Sequence, residues 1–199
     1  HASIAAYVVM YHFKLISKKM FYSFCKLNSK LGGHPDSTKL PLLNFSTGSL
    51  GHGLPNSVGF AYALKQQKSK KKIICLVGDQ ELMEGTTWES LHAIDNYKLN
   101  NLILIIDRNK SDFRSIKFLK LRKKLSVFCD KIYEIDGHNV RSIDKILNKC
   151  LNNKLFNIII ANTVKGYGIK SIENNPAWHH RSPTTQELEI FKSELKLDL

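Results

Sequence analysis

Residues 73–85 read IICLVGDQELMEG, and residues 102–109 read LILIIDRN. Each stretch opens with an unbroken apolar run, Ile73–Val77 and Leu102–Ile106. A short run of this kind predicts a strand buried on both faces, as in a parallel sheet. Two further strands are read at Lys131–Ile135 (KIYEI) and Asn157–Ala161 (NIIIA). Helical stretches separate them: Glu84–Tyr97, Ser115–Phe128 and Val140–Asn152. This alternation predicts an α/β fold, a three-layer open sheet, mostly parallel, with helices on both faces. Upstream, helices are expected over Ala2–Tyr11, Lys18–Lys26 and Ser49–Gln67. A last helix starts near Thr184, capped by Thr184 or Thr185, with Glu187 as capping-box partner.

The chain has 199 residues, enough for one domain with a sizeable core, and no linker or repeat divides it. Residues 1–199 are therefore read as a single domain. No apolar run reaches the length of a membrane span, so no membrane association is expected. None of the four cysteines, Cys25, Cys75, Cys129 and Cys150, forms a CxxC pair. That removes support for zinc or thioredoxin-type chemistry and suits a reducing, cytoplasmic setting. The net charge is +13. The lysines are spread along the chain, and the densest cluster, KFLKLRKK at 117–124, alternates with apolar residues as a wet helix face would. No nucleic-acid partner is expected, although anionic ligands suit the charge.

In open α/β sheets, ligands sit outside the carboxyl ends of the strands. The first two central strands run out into Gly78-Asp79 and Asp107-Arg108-Asn109. If these strands are neighbours, Asp79 and Asn109 converge. A carboxylate and an amide oxygen are hard donors, suited to magnesium shared with phosphate oxygens. The bland alternative is that Asp79 caps the next helix and Asn109 makes a turn. Gly48 to Gly53 (GSLGHG) adds glycines that allow close backbone approach and open a helix whose N-terminus favours anions.

Five ordered segments carry a resemblance: STGSLGHGLPNSVGFAYAL (46–64), GDQELMEGTTWES (78–90), LILIIDRN (102–109), YEIDGHN (133–139), and NTVKGYG with ENNPAWHH (162–180). Together they resemble the N-terminal, diphosphate-binding part of transketolase, a thiamine diphosphate enzyme, from His1 to about Glu189. The resemblance implies the thiamine diphosphate-binding fold. It implies that Asp79, Asn109 and the Ser111 carbonyl bind magnesium, with calcium or manganese as substitutes. Gly78 and the Gln80 backbone would lie near the diphosphate, and Gly48 and Leu50 against the cofactor. His1 and His180 match family histidines that approach the cofactor. His34, in Gly-Gly-His-Pro, matches an active-site histidine near the reacting carbon. Glu84 matches an acid at the subunit interface that links two cofactor sites. The chain departs from the family at Gln80, where glycine is usual, in the loop after Asn109, and at Arg181.

The implied activity is transfer of a two-carbon ketol unit from a ketose phosphate to an aldose phosphate, in the pentose phosphate pathway. The family glutamate that activates the aminopyrimidine belongs to a second domain that these residues do not resemble. A partner is therefore expected: a C-terminal transketolase subunit, in a hetero-oligomer with two copies of each. The family also has a first N-terminal segment ahead of the position of His1. Rival readings are a synthase of deoxyxylulose phosphate type, another ketose-specific relative, and a decayed, non-catalytic interaction module.

Overall fold

The computed structural model describes residues 2–110, 119–179 and 181–197. The chain forms two compact units, His1–His52 and Gly53–Leu199.

The first unit holds α1 (Ser3–His12) and α2 (Lys18–Phe21), followed by turns. Ser17 caps α2 by accepting the Met20 amide. Tyr7, Ile16, Leu31 and Leu40 form its core, and Tyr7 donates its hydroxyl to the Gly32 carbonyl at 3.0 Å. The second expected helix thus stops at Phe21; Cys25, with φ +56°, lies in the turns that follow.

The second unit opens with α3 (Gly53–Gln66) and continues as β1 (Ile73–Gly78), α4 (Gly85–Asn96), β2 (Leu102–Arg108), α5 (Leu121–Leu125), β3 (Ile132–Asp136), α6 (Val140–Asn152), β4 (Asn157–Asn162) and α7 (Thr185–Leu195). The four strands form one parallel sheet in the order β1-β2-β4-β3. Side chains alternate between its faces. Val77, Leu104, Ile106, Ile158 and Ile160 pack in one core with Leu54 of α3, Leu91 and Ile94 of α4, and Leu121 and Leu125 of α5. Ile103, Ile159 and Ile135 face the other way, against Ile143, Leu147 and Cys150 of α6. Helices cover both faces, as the alternation predicts. The order reverses beyond β2: β3 takes the far edge and β4 is inserted between them. Such a reversal opens a crevice at the strand carboxyl ends.

Boundaries shift at two helices. The expected helix from Ser49 begins at Gly53, because Gly48 and Gly51 hold positive φ. The expected helix 115–128 lies partly outside the described residues; of its described part, 119–128, only Leu121–Leu125 is helical, as α5. Among the described residues, no helix is long and apolar enough to cross a membrane.

Candidate functional site

The carboxyl ends of β1 and β2 lie side by side, with Gly78 paired to Asp107. Hydrogen bonds join the loops beyond them. The Asp79 amide donates to the Asp107 carbonyl at 3.0 Å, and the Lys110 amide donates to Asp79 Oδ2 at 2.8 Å. Lys110 reaches this geometry in a left-handed conformation, φ +56°. Asp79 is buried, at 6% exposure. Asn109 donates its Nδ2 to Asp107 Oδ2 at 3.2 Å. Two of the metal donors named from the sequence thus stand on adjacent, mutually bonded loops.

The turn after Asp79 is a short 3-10 helix, Gln80–Met83. Side chains from the first turn of α4 fasten it. Thr87 donates its hydroxyl to the Glu81 carbonyl at 2.8 Å, and the Trp88 indole donates to the Leu82 carbonyl at 2.9 Å. Asp79 itself is helical, φ −65°, and its side chain makes no capping bond to this turn. Glu84 holds the N-cap position of α4 in extended backbone, half-buried and without a capping bond from its side chain. Gln80 is not among the residues with positive φ. Its backbone therefore needs no glycine, and the departure from Gly-Asp-Gly brings no strain. At Gly78, a Cβ would find no atom of the described residues within 4 Å, which leaves room for a ligand against the strand end.

A cleft of about 590 Å³ runs along the sheet face beside α6, over Leu76, Ile105 and Ile159, and reaches the exits of β2 and β4 at Asp107, Asn109, Thr163 and Lys165; Gly78 and Asp79 do not line it. Thr163 donates its hydroxyl to Asp107 Oδ1. Lys165 donates its ammonium to His179 Nδ1 at 2.6 Å. His138 accepts the Val164 amide at Nε2 (2.8 Å) and stacks on Tyr167 with ring centroids 3.7 Å apart. That histidine orders the loop after β4. Asp107, Thr163, Lys165 and His179 were not read from the sequence as site residues; the strand-end stretch IIDRN and the segment NTVKGYG were the available signals.

In the first unit, Gly48 and His34 are brought together. A Cβ at Gly48, φ +123°, would meet His34 Cγ at 2.8 Å, so glycine is required there for the ring to lie where it does. The Thr47 amide donates to the Pro35 carbonyl at 3.0 Å and ties the two segments. His34 is exposed, and Leu50 is half exposed. His1, Ser111 and His180 lie outside the described residues. Among the described residues, no three His, Cys, Asp or Glu side chains converge as a metal cluster. The proposed ligands are instead one carboxylate, one amide and one carbonyl, a set that leaves positions for phosphate oxygens.

Residues 1–198 match the family described as transketolase, thiamine diphosphate binding domain. The chain is 43% identical over 176 residues to a subunit of the apulose-4-phosphate transketolase of Actinobacillus succinogenes, covering 85% of this chain and 63% of that protein. It is 32% identical over 195 residues to the protein of the same name from Phocaeicola vulgatus, covering 95% and 69%. The crystal structure of a transketolase from Campylobacter jejuni superposes with a TM-score of 0.79 at 29% identity, over 90% of this chain and 30% of that one. The chain therefore spans about two thirds of the two apulose-4-phosphate transketolase subunits and under a third of the longer enzyme.

Proposed function

The chain belongs to the transketolase family, in its thiamine diphosphate-binding domain, and from that membership we propose that it is the diphosphate-binding subunit of an enzyme that transfers a two-carbon ketol unit between sugar phosphates. The observation that carries this reading is the placement of Asp79 and Asn109 on the exits of neighbouring strands, joined by the Lys110 amide, beside a Gly78 that has no described residue against it.

The donor set fits the cofactor. The Asp79 carboxylate, the Asn109 amide oxygen and the Ser111 carbonyl would hold magnesium, which shares the remaining positions with diphosphate oxygens. The Lys165 ammonium on the cleft rim adds positive charge suited to the same anion. Thiamine diphosphate, when bound, supplies the thiazolium carbon that stabilises the transferred unit as a carbanion equivalent. The protein orients and polarises. His34 would donate to a developing oxyanion or move a proton at the substrate oxygens. His1, Gly48, Leu50, Gln80 and His180 would line the cofactor, and Glu84 would join the acids that couple paired sites.

The names of the two apulose-4-phosphate transketolase relatives, each a subunit, support a divided enzyme. A C-terminal subunit carrying the pyrimidine-binding domain would complete it as a hetero-oligomer with two copies of each. Those names also favour a specific second reading of the substrate: a ketose phosphate outside the pentose phosphate pathway, such as the one that names the relatives.

Calorimetric titration of the folded chain with thiamine diphosphate and magnesium, with and without a candidate partner subunit, tests the proposal. Saturable binding is expected. Absence of binding in both settings would favour the decayed module and sink the enzyme reading. Asp79→Ala is expected to abolish the magnesium-dependent binding while the chain remains folded. Its carboxylate also accepts the Lys110 amide, so a stability loss of about 1–3 kcal/mol accompanies the change. An Asp79→Ala protein that binds like the parent would show the metal assignment to be wrong.

A further inference from the structure

The Asp107 side chain lies at the centre of the strand-end network, yet the proposed function gives it no role. Its Oδ1 accepts the Thr163 hydroxyl, and its Oδ2 accepts Asn109 Nδ2 at 3.2 Å. Its main-chain carbonyl accepts the amide of Asp79 at 3.0 Å. One residue thus touches both loops that carry the candidate metal donors.

An asparagine amide has two ends of nearly equal shape and opposite character. Only the oxygen can ligate a cation; the NH2 end would point a positive dipole at it. A carboxylate is an acceptor alone. Asn109 can therefore meet it only through Nδ2, which leaves the amide oxygen as the end not bonded to Asp107. Thr163, 56 residues further along the chain, holds the other carboxylate oxygen and so holds the orientation of the acceptor. The Thr163 amide also donates to the Arg108 carbonyl at 3.1 Å, which keeps β4 in register beside the loop.

We infer that Asp107, held by Thr163, is a positioning residue that fixes which end of the Asn109 amide is offered to the cation of a bound diphosphate. This rests on the assignment of Asp79 and Asn109 to that cation. The site is thereby organised before the ligand arrives: binding need not select one amide orientation from two. Partners of this kind are commonly worth about ten- to a hundredfold in metal affinity.

The test uses the full chain with its partner subunit and four variants: Asp107→Ala, Thr163→Val, Thr163→Ser and Asp79→Ala. Two readouts are taken. The first is magnesium affinity at saturating thiamine diphosphate, by calorimetry. The second is the Asn109 side-chain amide resonance of the isotopically labelled chain alone, without cofactor. Asp107→Ala should weaken magnesium binding about ten- to a hundredfold. It should also move the Asn109 amide protons to positions typical of a solvated amide. Thr163→Val should weaken binding in the same direction, and Thr163→Ser, which restores the hydroxyl, should match the parent. If Asp107→Ala does not fold, the valine and serine pair still decides, because that pair differs by the hydroxyl that holds the carboxylate. The positioning role is overturned, with the metal site intact, if Asp79→Ala abolishes binding while Asp107→Ala and Thr163→Val bind like the parent. It is overturned equally if binding weakens but the Asn109 amide resonance does not move. Failure of the folded parent to bind at all overturns the underlying assignment and this inference with it.

Discussion

The four cysteines differ in what surrounds their sulfur, and the difference is measurable. Cys75, between Ile74 and Leu76 on β1, is buried, and burial pushes its thiol up to about 11. Burial also raises the thiols of Cys129 and Cys150. Cys25 lies exposed in a turn. Since the thiolate is the reactive form, a brief treatment of the native protein with iodoacetamide near pH 7.5 is expected to add one adduct per chain, at Cys25, as read by intact mass. Fast modification of two or more sites would show the sheet core to be open. Residue identity alone made the inert reading of Cys75 available, because it sits within the apolar run Ile73–Val77. The same logic exposed Asp79 and Asn109: each follows an apolar run, where a charged or amide side chain has no packing reason to be. It could not expose the partnership of Asp107 with Thr163. Their hydrogen bond spans 56 residues, and it depends on β4 being inserted beside β2, an order that hydrophobic pattern does not encode.

Strands and helices were legible to within a few residues wherever one physical signal governed them. Leu102–Ile106 is apolar throughout because both faces of β2 are covered, and the structure buries Leu102, Ile103, Leu104 and Ile106 completely. The 3-10 turn at Gln80–Met83 was not legible. Side chains that fasten it come from Thr87 and Trp88 in the first turn of α4, a contact that the sequence pattern does not encode. Nor did the apolar run distinguish β1 from β2. Ile74 and Leu76 on β1 are 47% and 64% exposed, because β1 is an edge strand and α6 does not reach that side of it. Equal leucines on neighbouring strands should therefore answer differently to substitution. Leu104→Ala is expected to cost about 2–5 kcal/mol in urea unfolding. Leu76→Thr should stay within about 0.5 kcal/mol. Equal losses at the two positions would contradict the burial pattern. Helix α7 offers a second test. Thr184 and Glu187 form the full capping box, and Arg181 also bonds the Glu187 carboxylate. Thr184→Ala should cost about 1 kcal/mol. The Thr184 amide, and after it Arg181, hold the Glu187 carboxyl below its ordinary value. Its contribution is therefore full above the ordinary glutamate range and is lost as pH falls through the lowered value. Helix signal from α7 should weaken in acid in the parent more than in Glu187→Gln.

At the scale of the whole chain, two units with separate cores carry unequal shares of its stability. The first, residues 1–52, gathers three buried apolar residues around Tyr7, and its described regular structure is one ten-residue helix and one of four residues. Units of about this size bury too small a fraction of their surface to be robust alone. The second surrounds a four-stranded sheet with a far larger apolar cluster. Composition gave no sign of this inequality: Gly48, Gly51 and Gly53 read as the entry to a helix, and the apolar residues of α1 are as dense as those of β2. What differs is how many of them find partners, since Val8, Val9, Phe13 and Leu15 remain exposed while β2 is enclosed. Local opening follows the density of buried contacts. In a hydrogen-exchange experiment on the cofactor-free chain, amides of 13–50 should exchange first, α1 next, and β2 and β4 last. Thiamine diphosphate with magnesium should then slow exchange at the exits of β1 and β2, where the Asp79 and Lys110 amides are already hydrogen-bonded. Protection confined to other segments would place the ligand away from the strand ends. Exchange of β2 and β4 at the same rate as the turns of the first unit would mean that the chain opens as one cooperative body, and the division of stability argued from the two cores would fall.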